Sequence, residues 1–147
     1  MKKLVFKNKD LPKIAGFLNS ATLAPKPTRG KHKLLDRVEE KRKEFSTDEM
    51  EIVKTIAQID ENGEIEYSDD SRPLVRKDAT KAEQKAFTDA MDVLSNEEVV
   101  IEFAEYSKKY ESLFKALEEY EEKIPAEVSY GYSLLMDAYE ENKEDEQ

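Results

Sequence analysis

Between Leu35 and Ile59, the residues Leu35, Val38, Arg42, Phe45, Glu49, Ile52, Ile56 and Ile59 recur at alternating intervals of three and four. That spacing follows one face of a helix, because a half-buried strand would repeat every two residues. A chain of 147 residues that gives so much length to one such stripe is expected to be mainly helical. Arg42 and Glu49 interrupt the apolar seam, and polar residues at seam positions fix the register of paired helices. The set Leu35, Val38, Arg42, Phe45, Glu49, Ile52 and Ile56 is therefore a candidate self-association seam, with a homo-oligomer as its consequence. Ser46-Thr47-Asp48-Glu49 also fits a capping box, which would split the rod near Ser46, but the continuous periodicity favours one helix of about 30 residues.

The remaining segments complete an α+β reading. Leu4-Val5-Phe6 reads as a brief strand, and Leu11, Ile14, Ala15 and Leu18 mark a short amphipathic helix over 10–20. Ala24-Pro25-Lys26-Pro27 reads as an extended linker, with Thr28 as the cap of the long helix. Asp60-Glu61-Asn62-Gly63 is a turn signal, and Glu64-Ile65-Glu66-Tyr67 alternates like a half-exposed strand. Residues 68–80 read as a polar loop with an apolar patch at Leu74-Val75. A third helix capped by Thr80 carries Ala82, Ala86, Phe87, Ala90, Met91 and Leu94. Val99 to Phe103 reads as a strand, with helical continuation through Tyr106 as the alternative. Helices over 108–123 and 126–142 follow, separated by Pro125. No internal repeat and no low-complexity linker is evident. The expected architecture is about five helices, one of them long, with a two- or three-stranded β element. Residues 1–140 form a single domain in this reading, and 141–147 an acidic disordered tail.

Much chemistry lacks its equipment here. The chain has no Cys and one His, so a disulfide framework, a thiol nucleophile and a thiolate or His-rich metal site cannot be written. His32 lies between two lysines without an orienting partner. Gly16, Gly30, Gly63 and Gly131 are isolated, so no phosphate-binding loop or dinucleotide fingerprint exists. Residues 58–69 superficially follow a calcium loop, but Gln58 and Asp69 occupy the first and last ligand positions. The pairs Asp69-Asp70, Glu118-Glu119 and Glu121-Glu122 read as solvated faces, since adjacent helical acids diverge by about 100°. No catalytic residue, cofactor or metal is expected, and the chain reads as a non-enzyme.

Charge is divided unevenly. Residues 1–45 carry 13 Lys or Arg against 5 acids, a net +8, and residues 46–147 carry a net −18. Arg29, Lys33 and Arg37 share a helix face at i+4 spacing and form a candidate basic patch. Nucleic acid is a disfavoured partner, because acids interrupt the patch and no recognition motif accompanies it. Six of the seven tyrosines fall after residue 105. Tyr110, Glu118, Glu121, Tyr130 and Tyr132 form a candidate acidic, tyrosine-rich partner surface. The short apolar run at the N-terminus is neither signal peptide nor membrane span, so no membrane partner is expected.

The order of segments resembles a known family. Leu4 to Leu11, then Ile14, Phe17-Leu18-Asn19, Leu23 and Thr28 to Leu35 are similar to the opening of small phage proteins. The long charged helix before Asp60-Glu61-Asn62-Gly63, and Phe87 to Phe103 running through Asn96-Glu97-Glu98-Val99, extend the likeness. That family occurs in phages and prophages of Gram-positive bacteria, notably lactobacilli, and has no established function. The resemblance implies a phage protein acting in the bacterial host cytoplasm or in the virion. The expected function is a protein-interaction role in virion or tail assembly, or as an assembly chaperone. The alternative is an acidic inhibitor of a host defence or nucleic-acid-binding protein that imitates phosphate charge. The expected partner is accordingly a phage structural protein or a host protein.

Overall fold

The computed structural model describes residues 2–145. Among them are five α-helices and a two-stranded antiparallel sheet, so the fold is mainly α with a small β element. The order is β1 (Lys3–Lys7), α1 (Leu11–Ser20), α2 (Pro25–Val53), α3 (Lys81–Asn96), β2 (Glu98–Glu102), α4 (Ser107–Glu118) and α5 (Ala126–Asp145). The chain divides into two compact units, where one domain was expected. The first runs to Arg42 and resumes at Glu98, and the second is Lys43–Glu97.

In the first unit, Leu4 and Phe6 of β1 and Val99 and Ile101 of β2 turn their side chains into one core. Leu11, Ile14 and Leu18 of α1, Leu34 and Val38 of α2, and Leu113, Phe114 and Leu117 of α4 fill it. Leu135, Met136 and Ala138 bring in α5. Val99 to Phe103 begins as a strand because alternate residues, Val99 and Ile101, are buried while Glu98, Val100 and Glu102 are exposed. Two helix crossings are unusually close. A Cβ on Gly30 would lie 2.2 Å from the Lys109 carbonyl oxygen, and one on Gly131 would lie 2.0 Å from that of Lys13. Only a residue without a side chain lets α2 meet α4, and α5 meet α1, at those distances.

Three expectations at the helix ends are corrected. Pro25 and Pro27 are not in an extended linker but in the first turn of α2, where the missing N–H groups have no intrahelical acceptor to lose. Thr28 donates its N–H to the Ala24 carbonyl at 3.1 Å and is already inside the helix. The single rod favoured by the periodicity is borne out at Ser46: the Thr47 hydroxyl donates to the Lys43 carbonyl at 3.1 Å and α2 runs on to Val53. Residues 141–145 continue α5 instead of forming a disordered tail, and 146 and 147 lie outside the described residues.

The second unit contains a repeat, although none was evident in the sequence. Residues 57–64, 65–72 and 73–80 are three octads. In each, the seventh N–H donates to the fourth carbonyl: Gly63 to Asp60, Ser71 to Ser68 and Ala79 to Arg76, at 3.1, 2.9 and 3.1 Å. The second residues form a closed triangle, with Gln58 N–H donating to Leu74, Leu74 to Glu66 and Glu66 to Gln58, at 2.7, 2.9 and 2.9 Å. Asp60 and Ser68 donate to Glu64 and Arg72, and Arg76 completes the cycle by donating to Ile56. The three extended segments thus pair in a ring. The Asp60 carboxylate accepts from the N–H groups of Asn62 and Glu64, and the Ser68 hydroxyl accepts from that of Arg72. The third octad feeds α3 directly: its eighth residue, Thr80, caps α3 in a capping box with Glu83.

Stability measurements test both descriptions. Gly30→Ala and Gly131→Ala are each expected to lower Tm, since crowding costs about 1–3 kcal/mol and outweighs the roughly 1 kcal/mol of added helix propensity. Gly16→Ala serves as the control, because its Cβ would meet only Val128 at an ordinary 3.6 Å. In the ring, Gly63 and Ser71 take φ values of 79° and 63°. Ser71→Gly is expected to slow amide exchange at Glu66 and Leu74, with a gain of up to about 1 kcal/mol, and Gly63→Ala to speed it.

Candidate interaction surfaces

The octad ring places the apolar residues of its extended segments, except Leu74, on one face. Directly opposed residues of antiparallel segments share a face. The opposed pairs are Ile59 with Ile65, Tyr67 with Pro73 and Ala57 with Val75. Ile59 is 40%, Tyr67 50% and Val75 48% exposed. The central residues alternate to the other face, where the Gln58 amide donates to the Glu66 carboxylate at 2.6 Å. The turns within the first two octads carry Asp60, Glu61, Asp69 and Asp70, while that of the third carries Arg76, Lys77 and Asp78, so the margin of the apolar face is acidic at two of its three corners. Lys43–Glu97 as a whole has a net charge of −8. Arg76 fastens the ring to α3, donating to the Thr55 carbonyl at 3.2 Å and to Glu83 at 2.6 Å. Arg76 and Thr80 hold the Glu83 carboxyl below its ordinary range. Sequence reasoning marked Ile65, Tyr67, Leu74 and Val75 singly, but missed the eight-residue recurrence that gathers Ile59, Tyr67 and Val75.

The basic patch forms in part. Lys33 and Arg37 stand over the Tyr106 ring at 5.4 and 5.7 Å, and Lys109 of α4 joins them at 6.0 Å. Arg29 is exposed and is not among the cations over that ring. Arg37 also binds Glu40 at 3.2 Å, and this contact raises its pKa. Arg37, Lys41, Val100, Ala104 and Tyr106 line part of a cavity of about 330 Å³. Ala104 has φ 46°, a conformation that costs an L-residue about 1–2 kcal/mol. It turns the chain from β2 toward Tyr106 and α4.

The self-association seam is divided and largely used within the chain. Val38 is fully buried in the first core, and Leu35 packs against it. Arg42 pairs with Glu39 at 3.0 Å. Phe45, Glu49 and Ile52 are half-buried, and burial raises the Glu49 pKa. Ile56 lies beyond the end of α2 and is buried in the second unit. The stripe predicted as one exposed seam therefore supplies two interiors.

The tyrosine-rich surface also separates. Tyr110 is fully buried, edge-on to Phe103 with ring centroids 5.1 Å apart. Its hydroxyl is buried without a hydrogen-bond partner, and burial pushes its pKa up to about 12. Tyr132 packs against Phe17 and donates to the Leu117 carbonyl at 2.9 Å. Tyr130 and Glu121 are exposed, and Glu118 pairs with Lys143 at 2.8 Å. Glu121 and Tyr130 remain exposed, the latter with Lys13 over its ring at 4.7 Å, whereas Glu118 is engaged by Lys143 and Tyr110 is inaccessible.

Among the described residues, no group of three His, Asp or Glu side chains is arranged to hold a metal ion. None of their helices is long and apolar enough to cross a membrane.

Tyr110→Phe is expected to be neutral or to stabilise by up to about 1 kcal/mol, since the hydroxyl is desolvated without a bond. The unfolded phenol ionises near 10.0 and the folded one near 12, so the native state holds more protons between those values. Stability should therefore fall as pH rises from about 10 to 12, and Tyr110→Phe should flatten that loss in urea titrations.

No curated protein and no solved structure matches this chain. A family model matches residues 2–146, spanning both units, and the chain accordingly belongs to the family described as protein of unknown function (DUF1617).

Proposed function

We propose that this chain is a non-enzymatic protein-interaction protein whose partner docks on the apolar face of the octad ring. The observation that carries the reading is the exposure of Ile59, Tyr67 and Val75 together on one side of a closed ring. A closed ring has no free segment edge, so recognition there falls to side chains. Tyrosine beside aliphatic residues suits such a contact, because it covers much area at little entropic cost. The acidic margin favours a partner with an apolar centre and a basic rim. The likeness of its segments to small phage proteins supports a role in virion or tail assembly, as a component or a chaperone. The net −8 of the second unit favours a second reading, an acidic inhibitor of a host nucleic-acid-binding protein.

Affinity capture from phage-infected cells separates the two. The assembly reading expects phage structural proteins retained at high salt and lost with Tyr67→Ser/Val75→Ser, with the far-UV spectrum unchanged. Capture of a basic host protein that is lost at high salt and indifferent to those substitutions would establish the inhibitor reading instead.

A further inference from the structure

The sheet has two outer edges, and they are treated differently. Phe103 donates its N–H to the Lys2 carbonyl at 3.0 Å. Antiparallel alternation then turns the N–H and C=O groups of Leu4, Phe6, Val99 and Ile101 inward, and those of Lys3, Val5, Glu98, Val100 and Glu102 outward. On the β1 side, the outward Lys3 N–H donates to the Asn142 side chain of α5 at 2.9 Å. On the β2 side, no strand pairs among the described residues, and Val100 is 42% exposed. The 330 Å³ cavity lies along that side, between β2 and the Arg37–Lys41 turn of α2.

We propose that the open edge of β2 is a strand-addition site for an extended segment of a partner protein, with basic residues two positions either side of an apolar one and acidic residues between. Strand addition supplies backbone bonds, and alternate side chains set the choice of occupant. β1 already displays the outer-face complement. Lys3 stands opposite Glu102, Val5 opposite Val100 and Lys7 opposite Glu98. An added strand meets the same Glu, Val and Glu from the other side. Its intervening residues project toward α2, where Lys33, Arg37 and Lys109 surround Tyr106. Glu40 holds part of the Arg37 charge, so an acidic residue of the occupant shares that guanidinium. A second copy of β2 is the wrong occupant: antiparallel pairing about Val100 sets Glu98 against Glu102, and like charges directly opposite repel. This site lies within the first unit and does not depend on the octad ring.

The test is an NMR titration of the full ¹⁵N-labelled chain with the capped heptapeptide Thr-Lys-Glu-Val-Glu-Lys-Thr. The isomer Thr-Glu-Lys-Val-Lys-Glu-Thr has the same composition and charge and keeps the central valine but reverses every charge pairing. Saturating shifts at the Glu98, Val100 and Glu102 amides, about tenfold tighter for the first peptide, are expected. Glu98→Gln/Glu102→Gln should erase most of that preference with the rest of the spectrum unchanged. Val100→Pro should abolish the shifts, because it removes an outward N–H and leaves the β1 ladder intact. Equal affinity for the isomers, no saturating shift at these amides, or concentration-dependent shifts there without peptide would overturn the proposal.

Discussion

The first unit depends on how closely its helices meet at two glycines. At Gly30 the backbone of α2 approaches the Lys109 carbonyl and the Leu113 side chain. At Gly131 the backbone of α5 approaches the Lys13 carbonyl and Phe17. With those separations set, side chains further along each helix reach a common interior. Leu34 and Val38 follow Gly30, and Leu135 and Ala138 follow Gly131, and all are buried in the one core. Aromatic rings then close the spaces between: Phe114 stacks on Tyr139 at 4.1 Å, and Phe17 meets Tyr132 edge-on at 5.2 Å. The Tyr106 cation cluster depends on the same approach, since Lys109 reaches the ring from α4 and Lys33 and Arg37 from α2.

Charge takes on a different meaning once the chain is folded. Along the sequence, a segment of +8 precedes one of −18. In space, the stretches 1–42 and 98–147 belong together and sum to only −2, while Lys43–Glu97 keeps −8. The basic N-terminal segment and the acidic C-terminal helices neutralise one another within one unit, as Lys2 with Glu111 and the opposed Lys3 and Glu102 illustrate. Exposed pairs of this kind contribute little energy singly. Their effect is to leave the strong negative field on the second unit.

The parts of the fold written in side-chain periodicity were legible. Leu11, Ile14 and Leu18 announced α1 and Leu113, Phe114 and Leu117 announced α4, whereas the continuous apolar run at Val99-Val100-Ile101 favoured a strand only through its β-branched residues and left a helix open. At Ser46 a capping box and a helix interior share residue types, and the continuous periodicity was the better guide: α2 is one rod through that point. Pro25 and Pro27 misled because their effect depends on distance from a helix start. The octads were invisible for a different reason. Their likeness lies in backbone hydrogen bonds, and Asp60, Ser68 and Arg76 occupy one position with three chemistries. The seam and tyrosine sets are not gathered on single surfaces because spacing alone does not tell which neighbour a helix face will meet: Val38 and Tyr110 found their partners inside the chain.

The pairing of Lys3 with Glu102 and Lys7 with Glu98 has a consequence for how the protein is made. β1 is synthesised before the whole of Lys43–Glu97, and its partner β2 only after it. The second unit is continuous in sequence and closes its ring from hydrogen bonds among three successive octads, so its contacts span short stretches of chain and form early. The first unit must wait with Leu4, Val5 and Phe6 unpaired, a short apolar strand open at both edges. Lys3 and Lys7 at its ends act as gatekeepers during that interval, since charge at the ends of an apolar run discourages pairing with another chain. The same two lysines that later face Glu102 and Glu98 thus keep the nascent chain apart from its neighbours until β2 arrives.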